Sequence, residues 1–293
     1  MNHTKIEWVR NPDGTPGWTW NPLTGCLNHV NGMCKGGNFP CYARRLANTR
    51  LRERYLANDN IANPVREGRY DDIEEEAERV LEDPFYPRFW PERLEQPYKY
   101  EIPHGIFVCD MSDLFGVGVP AHWTQQVMQI IKTCHWHRFY LLTKQPQNLI
   151  KFSPFPDNCW VGATATGTKM YWEALAELQY IKASVKYLSL EPLLQGIKPL
   201  LSSLEYSLKK AGISWLILGS QTKPTMYPRV EWVREIVEAA DKAGAPVFLK
   251  DNLNPMFADN DCKYFTEYRD KFFTFKDFEI GGTRWHLRQE MPE

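Results

Sequence analysis

The chain has 293 residues, with 35 Lys and Arg against 36 Asp and Glu, and a formal net charge of −1. Hydrophobic residues make up 43% of it, an ordinary globular composition with room for one large domain or two smaller ones. The balanced charge excludes a global field that would attract nucleic acid or an anionic membrane, so such binding would need a local patch. No apolar run approaches the roughly 18 residues of a membrane span. Since the N-terminal residues also show no signal-peptide pattern, we expect a cytoplasmic protein that does not bind membranes.

The first third of the chain predicts a strand, a helix and an insert. Residues 18–20 predict the opening strand, and residues 42–56, with five arginines, predict a helix. Residues 58–104 then carry 13 acidic and 6 basic residues and form an acidic insert. Six prolines exclude one long helix through its second half. The pattern favours a solvated helix at residues 71–81, followed by an extended, aromatic-rich segment.

From residue 105 onward, short apolar runs alternate with longer amphipathic stretches. The runs predict buried parallel strands at 106–109, 139–142, 160–163, 187–190, 215–218 and 247–249. The stretches between them predict helices at 122–133, 169–182, 195–210 and 230–243. Such alternation is typical of repeated right-handed βα units and indicates the α/β class. Either a full or partial TIM-type barrel or an open doubly wound sheet would satisfy it.

Three of the seven cysteines, Cys26, Cys34 and Cys41, fall within sixteen residues of a loop rich in Gly and Asn. Thiolates select soft or borderline metals, namely zinc, copper(I) or iron–sulfur clusters. A closed zinc site needs a fourth ligand, which His29 would supply. An iron–sulfur cube held by three cysteines would leave one iron without a protein ligand. A metal-free loop is the third reading, and spacing alone leaves all three open.

The other four cysteines are scattered singly, mostly in apolar surroundings. They are Cys109, Cys134, Cys159 and Cys262. A cysteine in such a place is most often a small buried hydrophobe, so we expect them to take no part in the site.

Several short segments together resemble a known family. They are residues 4–8, 20–26, 41–43, 107–115, 141–144, 160–162, 188–194 and 247–250. In this order they resemble a phage-associated family of uncharacterised proteins similar to radical S-adenosylmethionine (radical SAM) enzymes. The chain departs from the family pattern in the six residues between Cys34 and Cys41, where two are usual. It also has Gly219-Ser220-Gln221 where a Gly-Gly-Glu-like run is expected.

The resemblance implies a fold, two cofactors and a partner. The fold is one domain, residues 1–293, built as a partial (β/α) TIM-type barrel of about six parallel strands with the 58–104 insert within it. Cys26, Cys34 and Cys41 would hold a [4Fe–4S] cluster whose open iron chelates the methionyl part of SAM. An electron from the cluster then releases methionine and a 5′-deoxyadenosyl radical, which abstracts a hydrogen atom from a substrate. A reductant such as flavodoxin or ferredoxin would supply the electron. The substrate is unidentified, with nucleic acid as one candidate.

In a barrel of parallel strands the chemistry collects at the C-terminal strand ends, so polar residues there are the next candidates. For binding SAM they are Ser112, Asp113, Thr143, Lys144, Thr164 and Glu191. Asp113 would accept from the SAM ammonium, Lys144 would meet its carboxylate, and Glu191 would bind ribose hydroxyls. Lys250 and Asp113 are the candidate catalytic residues. The alternatives are that Asp113 caps a helix or holds a turn, and that Lys250 is an anion anchor or the ion-pair partner of Glu191.

Three functions follow. The first is a radical SAM enzyme, and the second is a non-catalytic nucleic-acid-binding module stabilised by zinc or an iron–sulfur cluster. The arginines of residues 44–54 and the aromatic residues Phe89, Trp90 and Trp136 favour the second. The third, a metal-free hydrolase using Asp113, Glu191 or His137, lacks a recognisable spacing of nucleophile and base.

Overall fold

A computed structural model describes residues 1–37, 39–63, 80–200, 202–257, 270–279 and 282–292. Its contacts divide the chain into two compact units. Unit 1 is Met1–Val161 with Lys182–Ser184, and unit 2 is Gly162–Ile181 with Val185–Glu293. Both units contain helices and strands, so the chain belongs to the α/β class as the sequence predicts.

Sixteen strands and six α-helices are found in the described residues. The strands are β1 (Asn2–His3), β2 (Trp18–Trp20), β3 (Leu23–Thr24), β4 (His29–Val30), β5 (Met33–Cys34), β6 (Arg88–Phe89), β7 (Gly105–Val108), β8 (Arg138–Thr143), β9 (Cys159–Thr164), β10 (Val185–Leu190), β11 (Trp215–Leu218), β12 (Gln221–Thr222), β13 (Thr225–Met226), β14 (Val247–Leu249), β15 (Phe273–Glu279) and β16 (Gly282–Leu287). The helices are α1 (Tyr42–Ala47), α2 (Arg52–Leu56), α3 (Ala121–Thr133), α4 (Thr168–Leu178), α5 (Leu204–Ala211) and α6 (Val230–Ala243). Within these residues no helix has the length and apolarity to cross a membrane.

The strands of the central sheet are mostly parallel. In unit 1, β2 pairs parallel with β7 and β7 with β8, while β1 adds an antiparallel edge to β2. In unit 2, β10 pairs parallel with β11 and β11 with β14. The residue boundary between the units falls inside β9. Every residue of β7, β11 and β14 is buried, because parallel strands with helical crossovers are covered on both faces. A strand lies at each of the six predicted positions, as β7, β8, β9, β10, β11 and β14, so these six strand predictions are confirmed.

Parallel pairing places the C-terminal ends of neighbouring strands at one edge of the sheet. In unit 1 the residues that follow β2, β7 and β8 therefore lie side by side. In unit 2 the same holds for the residues that follow β10, β11 and β14. These are the positions from which the candidate site residues come.

Three helix predictions are wrong in their bounds. The helix predicted at 169–182 ends at Leu178. The single helix predicted at 42–56 is broken between α1 and α2, because Asn48 and Thr49 turn their side chains back onto the α1 carbonyls of Arg44 and Arg45, both at 2.8 Å. The helix predicted at 195–210 begins only at Leu204, and residues 195–200, which include Pro199, have no regular structure. The helix predicted at 71–81 lies outside the described residues except for its last two, which are helical.

The late start of α5 has a testable cause. The Ser203 hydroxyl accepts from the backbone N–H of Tyr206 at 3.2 Å, as an N-cap does. Ser203→Ala should therefore lower the free energy of unfolding by about 1 kcal/mol. If the helix ran from residue 195, Ser203 would be interior, and alanine would raise stability by a few tenths of a kcal/mol. Urea unfolding of Ser203→Ala, with Ser202→Ala as the neighbouring control, separates the two signs.

Candidate metal and cofactor site

The cysteine loop, residues 21–41, follows β2 and contains a hairpin. Strands β4 and β5 pair antiparallel with His29 opposite Cys34, and Asn31 and Gly32 form the turn between them. Their φ values are +48° and +82°, as a two-residue hairpin turn requires. Asn-Gly is a strong sequence signal for such a hairpin. The sequence analysis predicts only a loop here and does not include the hairpin. Cys41 ends the loop as the N-cap of α1, accepting from the backbone N–H of Arg44.

Close backbone contact on both sides holds the start of this loop. The Gly25 N–H donates to the carbonyl of Met111 at 2.9 Å, and the Ser112 hydroxyl donates to the carbonyl of Gly25 at 2.6 Å. On the other side the Cys26 N–H donates to the carbonyl of Phe85 at 2.9 Å. Ser112, predicted to bind SAM, therefore joins the polar loop after β7 to the cysteine loop.

The three cysteines of the loop are free thiols, and the pKa values of two of them are raised. None is in a disulfide; Cys34 is buried, and Cys26 and Cys41 are half-buried. Burial raises the pKa of Cys26 to about 12, and the negative charges of Asp113, Cys34 and Cys41 act in the same direction. Burial also raises the pKa of Cys34, against the opposing charge of Lys144. The thiols of Cys26 and Cys34 are therefore protonated at neutral pH in the apo-protein, and metal binding would have to displace those protons.

The donor set suits a soft metal, but its ligand geometry is not preformed. Within the part of the chain that is described, no three His, Cys, Asp or Glu side chains are arranged to hold a metal ion. Three thiols of one loop that sense one another's charge are nevertheless the chemistry of a thiolate site. A metal would thus draw the hairpin and the two flanking cysteines together.

His29, the candidate fourth zinc ligand, lies on the same hairpin. Directly opposed residues of an antiparallel pair project to the same face, so His29 and Cys34 share one face. The His29 Nε2 atom is buried without a hydrogen-bond partner. Burial, with the charge of Arg44 next in size, lowers the pKa of this imidazole and favours the neutral form that binds metals.

Asn21 fixes the loop that follows β7. Its amide donates to the Asp110 carboxylate at 2.5 Å, and its side-chain oxygen accepts from the Met111 N–H at 3.1 Å. The hydroxyl of Tyr42 donates to the carbonyl of Asp110. Cys109, at the start of this loop, has a φ of +63°, in the left-handed region that non-glycine residues rarely adopt. Asn21 is absent from the predicted site residues, and an Asn-Pro pair after a strand is its only sequence signal.

Asp113 forms a buried clasp between the ends of β7 and β8. Its carboxylate oxygens accept from the Thr143 hydroxyl at 2.8 and 2.9 Å, from the Lys144 N–H at 3.0 Å and from the Phe115 N–H at 3.1 Å. Burial raises the pKa of Asp113, and the hydrogen bonds from Lys144 and Thr143 oppose that shift. Asp113 and Thr143, both predicted to bind cofactor, thus bond to their own chain, in line with the alternative that Asp113 holds a turn.

The side chain of Lys144 is the remaining polar group at this edge of unit 1. It is half-buried, and its Nζ lies 5.8 Å from the centroid of the Phe39 ring. No hydrogen bond of the ammonium group is found in the described residues, and its charge is felt by Cys34 and Asp113. The structure therefore brings four predicted residues, Ser112, Asp113, Thr143 and Lys144, to the cysteine loop.

In unit 2 the predicted residues lie at the ends of β9, β10 and β14. The Thr164 hydroxyl is buried without a partner, although hydroxyls in such positions are nearly always bonded. Lys250 donates to the Glu191 carboxylate, so these two residues form the ion pair that was one of the alternatives predicted from the sequence. A Cβ on Gly219 would lie 3.1 Å from both side chains, so the pair packs on that glycine. The pair is mostly buried, with 12% and 24% of the Lys250 and Glu191 side chains exposed.

Three of the four scattered cysteines behave as expected. Cys109, Cys134 and Cys159 are buried, with at most 3% exposure. Burial raises the pKa of Cys134 to about 11, which is typical of an inert buried thiol. Cys262 lies outside the described residues.

Comparison with known proteins identifies a family and nothing further. The profile of the family described as "Protein of unknown function (DUF5131)" matches residues 3–260. No curated protein and no solved structure matches the chain.

The close approach at Gly25 predicts a large loss of stability on substitution. A Cβ there would lie 2.3 Å from the Tyr86 carbonyl oxygen and 2.6 Å from that of Phe85, and φ is +87°. Gly14 has nearly the same φ, +84°, with nothing within 4 Å of a Cβ, and is the matched control. The backbone strain of about 1–2 kcal/mol is common to both substitutions.

Gly25→Ala should therefore cost about 1–3 kcal/mol more than Gly14→Ala in the free energy of unfolding, since only the first displaces backbone. Urea denaturation of the two variants measures the difference. Equal losses would mean that the cysteine loop is not clamped at Gly25.

Proposed function

The chain belongs to the family of proteins of unknown function DUF5131, and we propose that it is a radical SAM enzyme. The family description names no activity, so the proposal depends on the residues of the site. The observation that carries it is the cysteine loop, which holds three free thiols, with Lys144 close enough to Cys34 to oppose the burial that raises its pKa. A three-cysteine [4Fe–4S] site leaves one iron open, and this loop offers three cysteines.

In this proposal Cys26, Cys34 and Cys41 hold the cluster, and the neighbouring residues of unit 1 position the loop. The ammonium of Lys144 favours the thiolate form of Cys34, which assists the release of protons when metal binds. Ser112 and Gly25 keep the loop against the end of β7. When bound, the cluster and SAM supply reductive cleavage of the S–C5′ bond and a radical that abstracts hydrogen.

Lys144 is the group of unit 1 best placed for the SAM carboxylate. Its side chain is half-buried, and its backbone N–H is held at 3.0 Å by the Asp113 carboxylate. The Thr143 hydroxyl also donates to the Asp113 carboxylate. Asp113 and Thr143 then act mainly by positioning Lys144. Asp113 keeps a second role, a contact to the SAM ammonium, for which it would have to give up one of its present hydrogen-bond donors.

Unit 2 by itself holds candidate groups for binding a nucleoside. The buried, unpartnered Thr164 hydroxyl is a polar group that a ligand can satisfy. The Glu191 carboxylate, oriented by Lys250, would accept from ribose hydroxyls, and Lys250 is the candidate proton donor. The proposal includes the closing of the sheet into a partial (β/α) TIM-type barrel, a cytoplasmic location, a reductant such as flavodoxin or ferredoxin, and an unidentified substrate.

A second candidate is a metal-stabilised nucleic-acid-binding module without catalysis. The position of His29 opposite Cys34 favours it, because with the two other cysteines these residues would supply the donors of a closed Cys3His zinc site. The two functions differ in one product. Anaerobically reconstituted protein given dithionite and SAM should form 5′-deoxyadenosine if the enzyme proposal is right. Zinc alone in the reconstituted protein, with no such product, would favour the module.

The ligand assignment predicts which cysteines retain iron. Cys34→Ala should lose most of the iron and sulfide of the reconstituted protein and its absorbance near 400 nm, since a cube with two ligands is not held. Cys134→Ala, which removes a buried thiol from outside the loop, is the control and should keep both. If Cys134→Ala loses as much iron as Cys34→Ala, the assignment is wrong.

The role of Glu191 predicts a change in SAM affinity at constant iron. Loss of a charged acceptor should weaken SAM binding by roughly 10- to 150-fold in Glu191→Gln, corresponding to about 1.5–3 kcal/mol. Glu173→Gln is the control, because Glu173 forms an exposed ion pair with Lys169 in the same unit. Calorimetry with iron analysis on the same samples measures both. Unchanged affinity in Glu191→Gln would leave the pair with Lys250 as purely structural.

A further inference from the structure

A basic face lies next to the cysteine loop and has no part in the proposed chemistry. We name it the arginine face and define it as Arg45, Arg50, Arg52 and Arg54, on α1, α2 and the turn between them. All four side chains are exposed. Residues 41–57 hold five arginines and one glutamate, a net charge of +4 in a chain whose total is −1. None of the four makes an ion pair with an acidic residue in the described ranges.

Two of these cations, Arg50 and Arg54, lie close to a further arginine, Arg93. The hydroxyl of Tyr55, buried beneath α2, senses the charges of Arg93, Arg54 and Arg50. Burial raises the pKa of Tyr55 to about 12, and these three charges oppose the shift. Arg93 is itself fixed, stacked on Trp90 at 3.7 Å and donating to the Asn21 carbonyl at 3.0 Å. Arg93 therefore holds a positive charge beside the loop that follows β2.

An exposed aromatic ring borders the arginine face. Tyr42 is 50% exposed on α1, one helical turn before Arg45, and its hydroxyl donates to the Asp110 carbonyl. That hydrogen bond limits the rotation of the ring. A fixed aromatic plane beside guanidinium groups is the arrangement on which unpaired bases stack while the cations hold phosphates.

A membrane surface fits this face poorly. Helices that lie on membranes bury a broad apolar side in the lipid. The apolar side chains here, Ala43, Ala47 and Tyr55, instead pack into a buried cluster with Phe85 and Trp90. Tyr42 is the one large hydrophobic side chain exposed in residues 41–57, all of which are described.

We propose that the arginine face and Tyr42 form a binding surface for single-stranded nucleic acid. The guanidinium groups contact successive phosphates, and a base stacks on the Tyr42 ring. Helices of six and five residues are too short to fill a major groove, which favours an unpaired strand over a duplex. The inference deepens the second candidate function by naming its surface and the type of strand, and it does not require SAM cleavage, so its failure leaves the radical SAM proposal standing.

The test is fluorescence anisotropy with a fluorescein-labelled 20-nucleotide single strand and the reconstituted full-length protein. Arg50→Gln/Arg54→Gln should weaken binding at least fivefold at low salt, and should reduce the slope of log affinity against log salt by about 1.4. Lys132→Gln/Lys210→Gln removes two exposed charges elsewhere and is the matched control, with a change below twofold. Equal weakening in both double variants would overturn the proposal, because bulk charge would explain it.

Tyr42 is tested by rescue. Tyr42→Ala should weaken binding of the single strand by roughly fivefold or more, and Tyr42→Phe, which keeps the ring, should restore it. A labelled duplex of the same sequence should bind more weakly than the single strand. Tighter binding of the duplex, or binding of phosphatidylserine vesicles in place of the oligonucleotide, would contradict the inference.

Discussion

The constraint on which the candidate site depends is the narrow passage at Gly25. The backbone there runs between the carbonyls of Phe85 and Tyr86 on one side and Met111 on the other, so no side chain fits. Three segments distant in sequence meet at this residue: the cysteine loop, residues 85–86 of the insert and the loop after β7. The positions of Cys26 and of the Ser112–Asp113 region are therefore set by one backbone contact.

A buried guanidinium gives the insert its part in this contact. Arg88 is fully buried, and its donors reach four backbone carbonyls, those of Asn58, Asp83, Tyr86 and Leu81. Burial lowers its pKa, and the charges of Asp83 and Asp59 oppose that shift. A buried cation is costly unless every donor is satisfied, so Arg88 holds residues 81–88 in a fixed path. Because β6 pairs with β3, residues 81–88 lie directly against the cysteine loop.

The strands of the sheet could be predicted from sequence because their apolar runs are continuous, and a fully buried parallel strand requires such a run. The same information did not yield Arg88, because an arginine among aromatic residues looks the same whether it is buried or exposed. The predicted bounds of helix α5 begin too early because amphipathic spacing continues upstream of Ser203. Only the Ser203 cap marks the true start of the helix. The insert helix at 71–81 lies almost entirely outside the described residues.

For the site, the sequence indicated residue types at strand ends but not their partners. Glu191 and Lys250 were among its alternatives as an ion pair, and the structure pairs them. Asp113 was expected to face a ligand and instead accepts from Thr143, Lys144 and Phe115, because burial without such donors would be unfavourable. Asn21 was missed, since its role is to join two loops and this depends on tertiary contact.

The central claim is that the cysteine loop carries a cluster whose open iron binds SAM. Electron paramagnetic resonance of the anaerobically reduced protein, recorded with and without SAM, tests this claim most directly. We expect the wild-type protein to give the signal of a reduced [4Fe–4S] cluster and this signal to change when SAM is added. Cys34→Ala should give no such signal. A cluster signal that SAM leaves unchanged, or no cluster signal in protein that binds only zinc, would contradict it.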